Sequence, residues 1–398
     1  MRFLCALLLL ACLSVPISSA HAATWQVPTD APTIQAGIDS ASAGDTVLVA
    51  CGTYYEHDIV MKSGITLRSE TGEPECVTID AQQLGRVIYC ENVDTTSTIQ
   101  GFTITGGTDP LRGGGMTCEH SSPRITRCIF LGNVSEDVGG GLKCVFSHST
   151  ISDCEFRNNF ASDKGGGIHA SSTGGPPMNL TNVLFVENST SDERDCYGGG
   201  MYSSGGMVLT NVTFLRNSAW GGGAVWCRGA PIFDRVAFIE NDGGWGAAIE
   251  FYLNSHPSLT NATFVSNSPG SAIYCNRGTT LSLERTIICF SGYSAIGCDE
   301  TAVASLTCCD LYGNEGGDYV DCADGQYGIN GNISEDPLFC DLANGDLTLH
   351  ANSPCAPFTQ PNPECDLIGA FPIGCGITAV AEPQQEDASW SSIKALYR

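Results

Sequence analysis

Phe130-Leu-Gly-Asn133, Phe156-Arg-Asn-Asn159, Phe185-Val-Glu-Asn188, Phe214-Leu-Arg-Asn217, Phe238-Ile-Glu-Asn241 and Phe264-Val-Ser-Asn267 are six copies of one unit, Phe-x-x-Asn, in steps of 26, 29, 29, 24 and 26 residues. Weaker echoes stand at Phe102, Ile287 and Leu311-Tyr-Gly-Asn314. Between the copies runs a second register, in which Gly or Ala residues precede an apolar anchor: Met116, Leu142, Ile168, Met201, Val225, Ile249, Ile273 and Ile296. Two registers that advance together mark a structural repeat. A period near 25 with short alternating apolar runs, turn residues and no helical stripe makes each unit one coil of a solenoid. One coil cannot bury its inward side chains alone, whereas coils stacked about 4.8 Å apart pair backbone to backbone and bury a column of Phe and Ile. About 12 coils are expected, giving a body roughly 60 Å long. Asn suits the fourth position because it tolerates a left-handed turn and its amide can bond the same amide one coil away.

Outward from the repeats, Asp30-Ala-Pro-Thr-Ile34-Gln-Ala-Gly-Ile38-Asp-Ser-Ala41 places Ile34, Ile38 and Ala41 on one helical face, with Asp30 expected as N-cap and Gly44 as the stop. Such a helix would cover the open apolar end of the solenoid. Residues 333–375 lose the period and are rich in Pro and Cys, which predicts a C-terminal cap. At the start, Arg2, the apolar run Phe3–Val15 and Ala20-His21-Ala22 fit an export signal cleaved after Ala22. The expected organisation is residues 1–22 signal, 23–45 N-terminal cap, 46–332 parallel β-helix, 333–375 C-terminal cap and 376–398 linker and tail. In that tail an acidic linker, Glu382-Pro-Gln-Gln-Glu-Asp387, leads to Trp390, Ile393 and Tyr397 on one helical face, which reads as a segment for sorting or docking.

With 18 basic against 43 acidic residues, phosphate backbones are poor partners, so nucleic acid is not expected. After the signal no apolar run nears the roughly 20 residues of a membrane-spanning helix. Of 21 cysteines, 19 follow the expected signal, which argues for an oxidising compartment and several disulfides. Cys90, Cys118, Cys144 and, after gaps in the series, Cys227, Cys275 and Cys298 each stand two residues after an anchor, and Cys128 and Cys154 stand two before a Phe. Neighbouring coils bring such positions about 5 Å apart, so Cys128 with Cys154 and Cys275 with Cys298 are the expected adjacent-coil disulfides, and a ladder of buried free thiols is the alternative. No metal set or cofactor motif is expected.

Alternation turns the residue after each anchor outward, giving the row Thr117, Lys143, His169, Tyr202, Trp226, Glu250, Tyr274 and Gly297; the next outward row carries Arg228, Tyr252, Asn276 and Asp299. Tyr202, Trp226, Tyr252 and Tyr274 around Arg228 and Glu250 therefore form a candidate platform for sugar rings, with Tyr197, Trp220 and Trp245 in nearby turns. The competing reading is that the rings stack on one another as cladding. As a catalytic set the patch is incomplete: Arg228 and Glu250 are its weak candidates, and the nearest second carboxyl, Asp299, lies two coils away on another row.

At this point the chain resembles a known group. Val27-Pro-Thr-Asp-Ala-Pro-Thr-Ile-Gln-Ala-Gly-Ile-Asp-Ser-Ala41 with Gly44-Asp-Thr-Val-Leu-Val-Ala-Cys-Gly-Thr-Tyr54 is similar to the opening of bacterial right-handed parallel β-helix repeat proteins of the pectin-lyase-like superfamily. The Phe-x-x-Asn units resemble those of chlamydial polymorphic outer-membrane proteins, and Ile333-Ser-Glu-Asp-Pro-Leu-Phe339 with Asn352-Ser-Pro-Cys355 resembles the closing motif of the same β-helix proteins. The resemblance implies an all-β, single-stranded right-handed parallel β-helix with a short N-terminal capping helix and a Cys/Pro-rich C-terminal cap. It does not carry an activity, because the fold hosts lyases, hydrolases and adhesins. The paired Asp with Gly-His-Gly of pectin-degrading members, and calcium-binding acids beside a basic residue, are not visible as motifs, and only 23 residues follow Cys375 where the polymorphic proteins place a translocating barrel. The expected function is a secreted or cell-surface protein that binds extracellular or cell-wall glycans without catalysis, the alternative being a polysaccharide lyase or glycoside hydrolase.

Overall fold

A computed structural model describes residues 22–376 except positions 112 and 173; the export-signal reading and the reading of the tail around Trp390 lie outside the described residues. The chain winds into a parallel β-solenoid of about 13 turns, close to the expected 12. Its interior holds long columns of like side chains. One is the Phe column, in which Phe130, Phe156, Phe185, Phe214, Phe238, Phe264, Ile288 and Leu311 pair in unbroken register. Another is the anchor column, Ile88, Met116, Leu142, Ile168, Met201, Val225, Ile249, Ile273 and Ile296. A third runs Ile99, Ile125, Ile151, Leu180, Leu209, Phe233, Leu259, Leu283 and Leu306.

Parallel strands in register carry like residues in like rotamers, so the six rings stack face to face. Their centroids stand 4.5, 5.0, 4.6, 5.1 and 4.6 Å apart from Phe130 to Phe264. All six are fully buried. Burial of this area supplies the main driving force, and the offset stacking of the rings adds to it.

The buried asparagines form a second ladder. Each Nδ2 donates to the Oδ1 of the asparagine one coil on: Asn133 to Asn159, Asn159 to Asn188, Asn188 to Asn217, Asn217 to Asn241 and Asn241 to Asn267, at 2.9–3.1 Å. The same Oδ1 takes the backbone N–H of the preceding asparagine, and a second Nδ2 proton bonds the Phe carbonyl of the coil before, as from Asn188 to Phe156 at 2.8 Å. The left-handed turn, however, is not at Asn. It falls one residue earlier, on Gly132, Asn158, Glu187, Arg216, Glu240, Ser266 and Phe290. Asn is required at its position because its amide satisfies buried backbone groups that the bend takes out of the ladder. The glycines before the anchors answer a different demand: a Cβ on Gly166 would lie 2.3 Å from the Ser189 carbonyl oxygen and 2.6 Å from that of Gly199.

The N-terminal strand Thr24–Val27 pairs with Thr46–Val49, and the helix Ile34–Ser40 between them buries Ile34, Gly37 and Ile38 over the end of the coil. Its N-cap is Thr33, whose hydroxyl accepts from Ala36 N, and not Asp30, whose carboxylate closes the preceding turn on Gln26 N. The helix stops at Ala41 in extended conformation, before Gly44, which serves the next turn at φ +94°. Glu56 completes the N-terminus by accepting from Ile34 N and Gln35 N.

Ahead of the Cys/Pro-rich C-terminal segment, Tyr319, Cys322 and Ala323 pack onto the solenoid interior and close its end. Ile333, Leu347, Leu349, Cys355, Cys365, Ile368 and Phe371 instead lie against the outside of the Phe-column sheet, where Ala370 N bonds Thr263 Oγ1 and Gly369 N bonds Arg285 O, both at 2.8 Å.

Among the described residues four disulfides are present: Cys51–Cys76, Cys298–Cys322, Cys308–Cys365 and Cys340–Cys375. The first two join adjacent coils, as expected, but through other partners. Cys128 and Cys154 are free, and Cys298 is bonded to Cys322, leaving Cys275 free and buried. Facing residues of a parallel ladder have parallel Cα–Cβ bonds, so their Cβ atoms stay about 4.8 Å apart, beyond the ~3.5–4.5 Å a disulfide needs. Cys128 and Cys154 settle for a weaker contact, Cys128 N to Cys154 Sγ at 3.4 Å. Cys90, Cys118 and Cys144 stack likewise as free thiols, and burial pushes the Cys275 thiol up so that it stays neutral. The bonded pair Cys51–Cys76 sits just before the strands, where the turn relaxes this constraint.

The asparagine ladder breaks at Ser291, the register position between Asn267 and Asn314, whose buried hydroxyl has no partner. Ser291→Asn should therefore rejoin the ladder and raise stability by about 1 kcal/mol, whereas Asn188→Ala, which strips a whole rung, should cost on the order of 3 kcal/mol. Urea unfolding of both variants checks the pair; a neutral Asn188→Ala would mean that the ladder is not a stabilising element.

Candidate functional site

The outward row exists in the expected register. Thr117, Lys143, His169, Tyr202, Trp226, Glu250, Tyr274 and Gly297 face one another strand by strand along the anchor sheet. What the alternation does not reveal is a second column beside it. Counting four residues back from each anchor gives Val138, Lys164, Tyr197, Gly221 and Trp245, and the first four are bridged to one another. This column stands over the first row and covers it.

The two columns interlock by size. His169 lies on Tyr202 at 5.0 Å, and Tyr202 on Trp226 at 4.5 Å with the planes only 6° apart. Tyr197 leans over Trp226 at 5.6 Å, Tyr252 tilts against it at 5.0 Å, and the Lys164 ammonium sits 5.8 Å from the Tyr202 ring centre. Gly221 leaves the covering column without a side chain between Tyr197 and Trp245, and the Glu250 carboxyl occupies that gap. A Cβ at Gly221 would fall 2.5 Å from Glu250 Oε2 and 3.0 Å from Tyr197 Cδ1. Beyond the gap, Trp220 touches Tyr197 and Trp245 edge-on, and Trp245 leans on Tyr274 at 5.2 Å.

Consequently Trp226 is 5 % exposed and Glu250 4 %. They are not the open platform expected of them: the aromatics there are in large part cladding, stacked on one another. Tyr202, Tyr252 and Tyr274 are half-buried, Arg228 is exposed, and Trp245, standing 49 % exposed at the end of the cluster, is its most open ring. Arg228 exerts its charge on Tyr202. His169 is a buried member of the stack. Gly221 and Lys164 were missed, and alignment on the anchors rather than on the glycines would have shown the empty place at Gly221.

Burial pushes the Glu250 carboxyl up to about 7, with Trp226 and Asn276 as nearby donors that hold it from rising further. Neither Glu250 Oε2 nor Trp226 Nε1 has a hydrogen-bond partner of ordinary geometry. Burial and the flanking Lys143 and Lys164 lower the His169 imidazole to about 3, so it is neutral. The site thus holds a carboxyl poised near neutrality inside an aromatic wall, with ring faces and one guanidinium at its rim. Such a surface can stack apolar faces and orient polar groups.

Residues 153–171 match the model of the Chlamydia polymorphic membrane protein repeat. No curated protein sequence matches the chain. Among solved structures the chain is similar to pectate lyase Pel9A, at 13% identity and a TM-score of 0.45, over 85% of this chain and 90% of that one. It is also similar to a variant of the PL6-family alginate lyase AlyGC, at 13% identity and a TM-score of 0.46, over 90% of this chain and 59% of that one. At these values the strand register of the chain itself, not the neighbours, establishes its fold. The protein is a parallel β-helix, one stretch of which, residues 153–171, is similar to the Chlamydia polymorphic membrane protein repeat.

Two measurements test the packing of this site. Trp226→Ala should cost roughly 3–5 kcal/mol, as for a core aromatic, where a loss below about 1 kcal/mol would return Trp226 to the surface. Because the folded carboxyl of Glu250 titrates above its unfolded value of 4.5, the folded state binds the extra proton between pH 4.5 and 7. Its contribution is complete below about pH 4.5 and is lost as pH rises to 7, a difference on the order of 3 kcal/mol. Glu250→Gln should accordingly flatten the fall in stability over that interval, seen as a melting temperature less dependent on pH than that of the parent.

Proposed function

We propose that the protein works outside the cytoplasm at a bacterial surface as a non-catalytic glycan-binding β-helix, using Trp245, Tyr252, Tyr274 and Arg228 as the contact rim. The observation that carries this reading is the cluster itself: an exposed Trp245 at the end of a wall of half-buried rings, in a chain of net charge −25 whose surface otherwise favours solubility. The buried layer of Tyr202, Trp226 and Glu250 fixes the rim, so that the rings lose little freedom when a pyranose face stacks on them. A spacing of about 4.8 Å per coil is close to the length of one sugar unit, which lets an extended chain run along the solenoid axis. A surface location is supported by the polymorphic membrane protein repeat and by the four disulfides. No described helix is long and apolar enough to cross a membrane.

Glu250 favours one alternative, a carbohydrate-active enzyme, because a carboxyl near 7 can donate a proton at neutral pH. Against it stands its burial.

A glycan array run beside reducing-sugar and unsaturated-product assays on the same panel separates the readings. Binding without turnover, weakened about 5- to 100-fold by Trp245→Ala at unchanged thermal stability, is expected. Turnover abolished by Glu250→Gln would establish the enzyme instead.

A further inference from the structure

One stretch of the interior is built of sulfur. Met61, Cys90, Cys118 and Cys144 occupy one column on four successive coils: Cys90 faces Cys118 and Cys118 faces Cys144 in strand register, and Met61 continues the pairing of Ile59 with Ile88 to stand opposite Cys90. All four belong to the closed core, and none is more than 3 % exposed. Ala170 follows on the next coil and ends the run. Cys118 is in hydrogen-bonding contact with both of its neighbours. Beside it Ser149 is fully buried, and its hydroxyl stands against Cys118 and Cys144 without a hydrogen-bond partner of ordinary geometry. A buried hydroxyl left unsatisfied is destabilising, and a thiolate in place of either thiol would accept a hydrogen bond from it.

We infer that this column is a binding site for a soft monovalent cation, of which copper(I) is the biological example, held between Cys90 and Cys118 and between Cys118 and Cys144, with the Met61 thioether closing the row. Spacing is the first reason. A metal–thiolate bond is about 2.3 Å long, so a linear sulfur–metal–sulfur unit spans about 4.6 Å, against a coil spacing of about 4.8 Å; the separation that prevents a disulfide fits an ion. Donor chemistry is the second, because thiolate and thioether sulfur select soft ions. Geometry is the third. Zinc needs donors that converge on one point, whereas this row offers two sulfurs on opposite sides of each gap. Among the described residues the trio of possible ligands that does converge is Cys51, Cys76 and Glu70, and its sulfurs are joined in a disulfide. Each monovalent ion displaces one thiol proton to water, so loading adds no net charge to the interior and transfers no electron. The thiolate so formed takes up the Ser149 hydroxyl.

Silver(I), which takes the same donors and needs no reductant, is the probe. The full chain, disulfides intact, is incubated with silver nitrate in chloride-free buffer, desalted and weighed by native mass spectrometry. Relative to the parent, Cys118→Ala should lose the ions of both gaps. Cys227→Ala, which removes a thiol of the same column that lies between Ser203 and Phe251, should keep them. Silver should also raise the melting temperature of the parent and leave that of Cys118→Ala unchanged. X-ray absorption at the silver edge requires no variant and should find two sulfur neighbours per ion in the parent. No silver on the parent, equal numbers of ions on the parent and Cys118→Ala, the same loss in Cys227→Ala, or nitrogen and oxygen neighbours would each overturn the site.

Discussion

Parallel strands stacked in exact register impose one condition on this molecule: every side chain meets its counterpart from the coil above and the coil below. The condition rewards residues that pack well against themselves. Phenylalanine does so by offset ring stacking, and asparagine by presenting donor and acceptor from one amide, so both recur at fixed places. It penalises residues that need to converge. Cysteines in the ladder remain thiols for this reason, and the disulfides form where the chain leaves the strands or enters the cap.

The same condition explains why so much of the fold was legible. Phe-x-x-Asn and the anchor residues recur because each coil solves one packing problem in one way, so period, columns and inward faces could be read without the structure. Legibility ended wherever a residue does something its neighbours do not. Asp30 and Thr33 are both plausible caps by type, and only the turn closed by Asp30 shows that its carboxylate is already engaged. The disulfide partners depended on the direction of Cα–Cβ bonds, which spacing does not carry. The cap was recognised by its Cys and Pro content, but composition does not say that it would lie along the side of the sheet.

The aromatic site shows the limit most clearly. Alternation placed Tyr202, Trp226, Glu250 and Tyr274 on one outward row, which they form, but outward is not the same as exposed. A second column, four residues before each anchor, brings Lys164, Tyr197 and Trp245 over the row. Glu250 is accommodated only because Gly221 interrupts that covering layer. A carboxyl near 7 is the electrostatic consequence of one missing side chain one coil away.

The side-lying cap also sets the direction in which the molecule yields to force. A solenoid without cross-ties opens one coil at a time, each rung bearing load only through its nearest neighbour. Here the cap ties the late coils together, through Cys308–Cys365 and through the bonds at Arg285 and Thr263, so they resist as a block. The coils from Cys76 to that of Phe238 have no such hydrogen bond or disulfide to the cap among the described residues. Tension applied from the N-terminal side would peel those coils in sequence and stop at the braced end, which begins at the coil of Thr263.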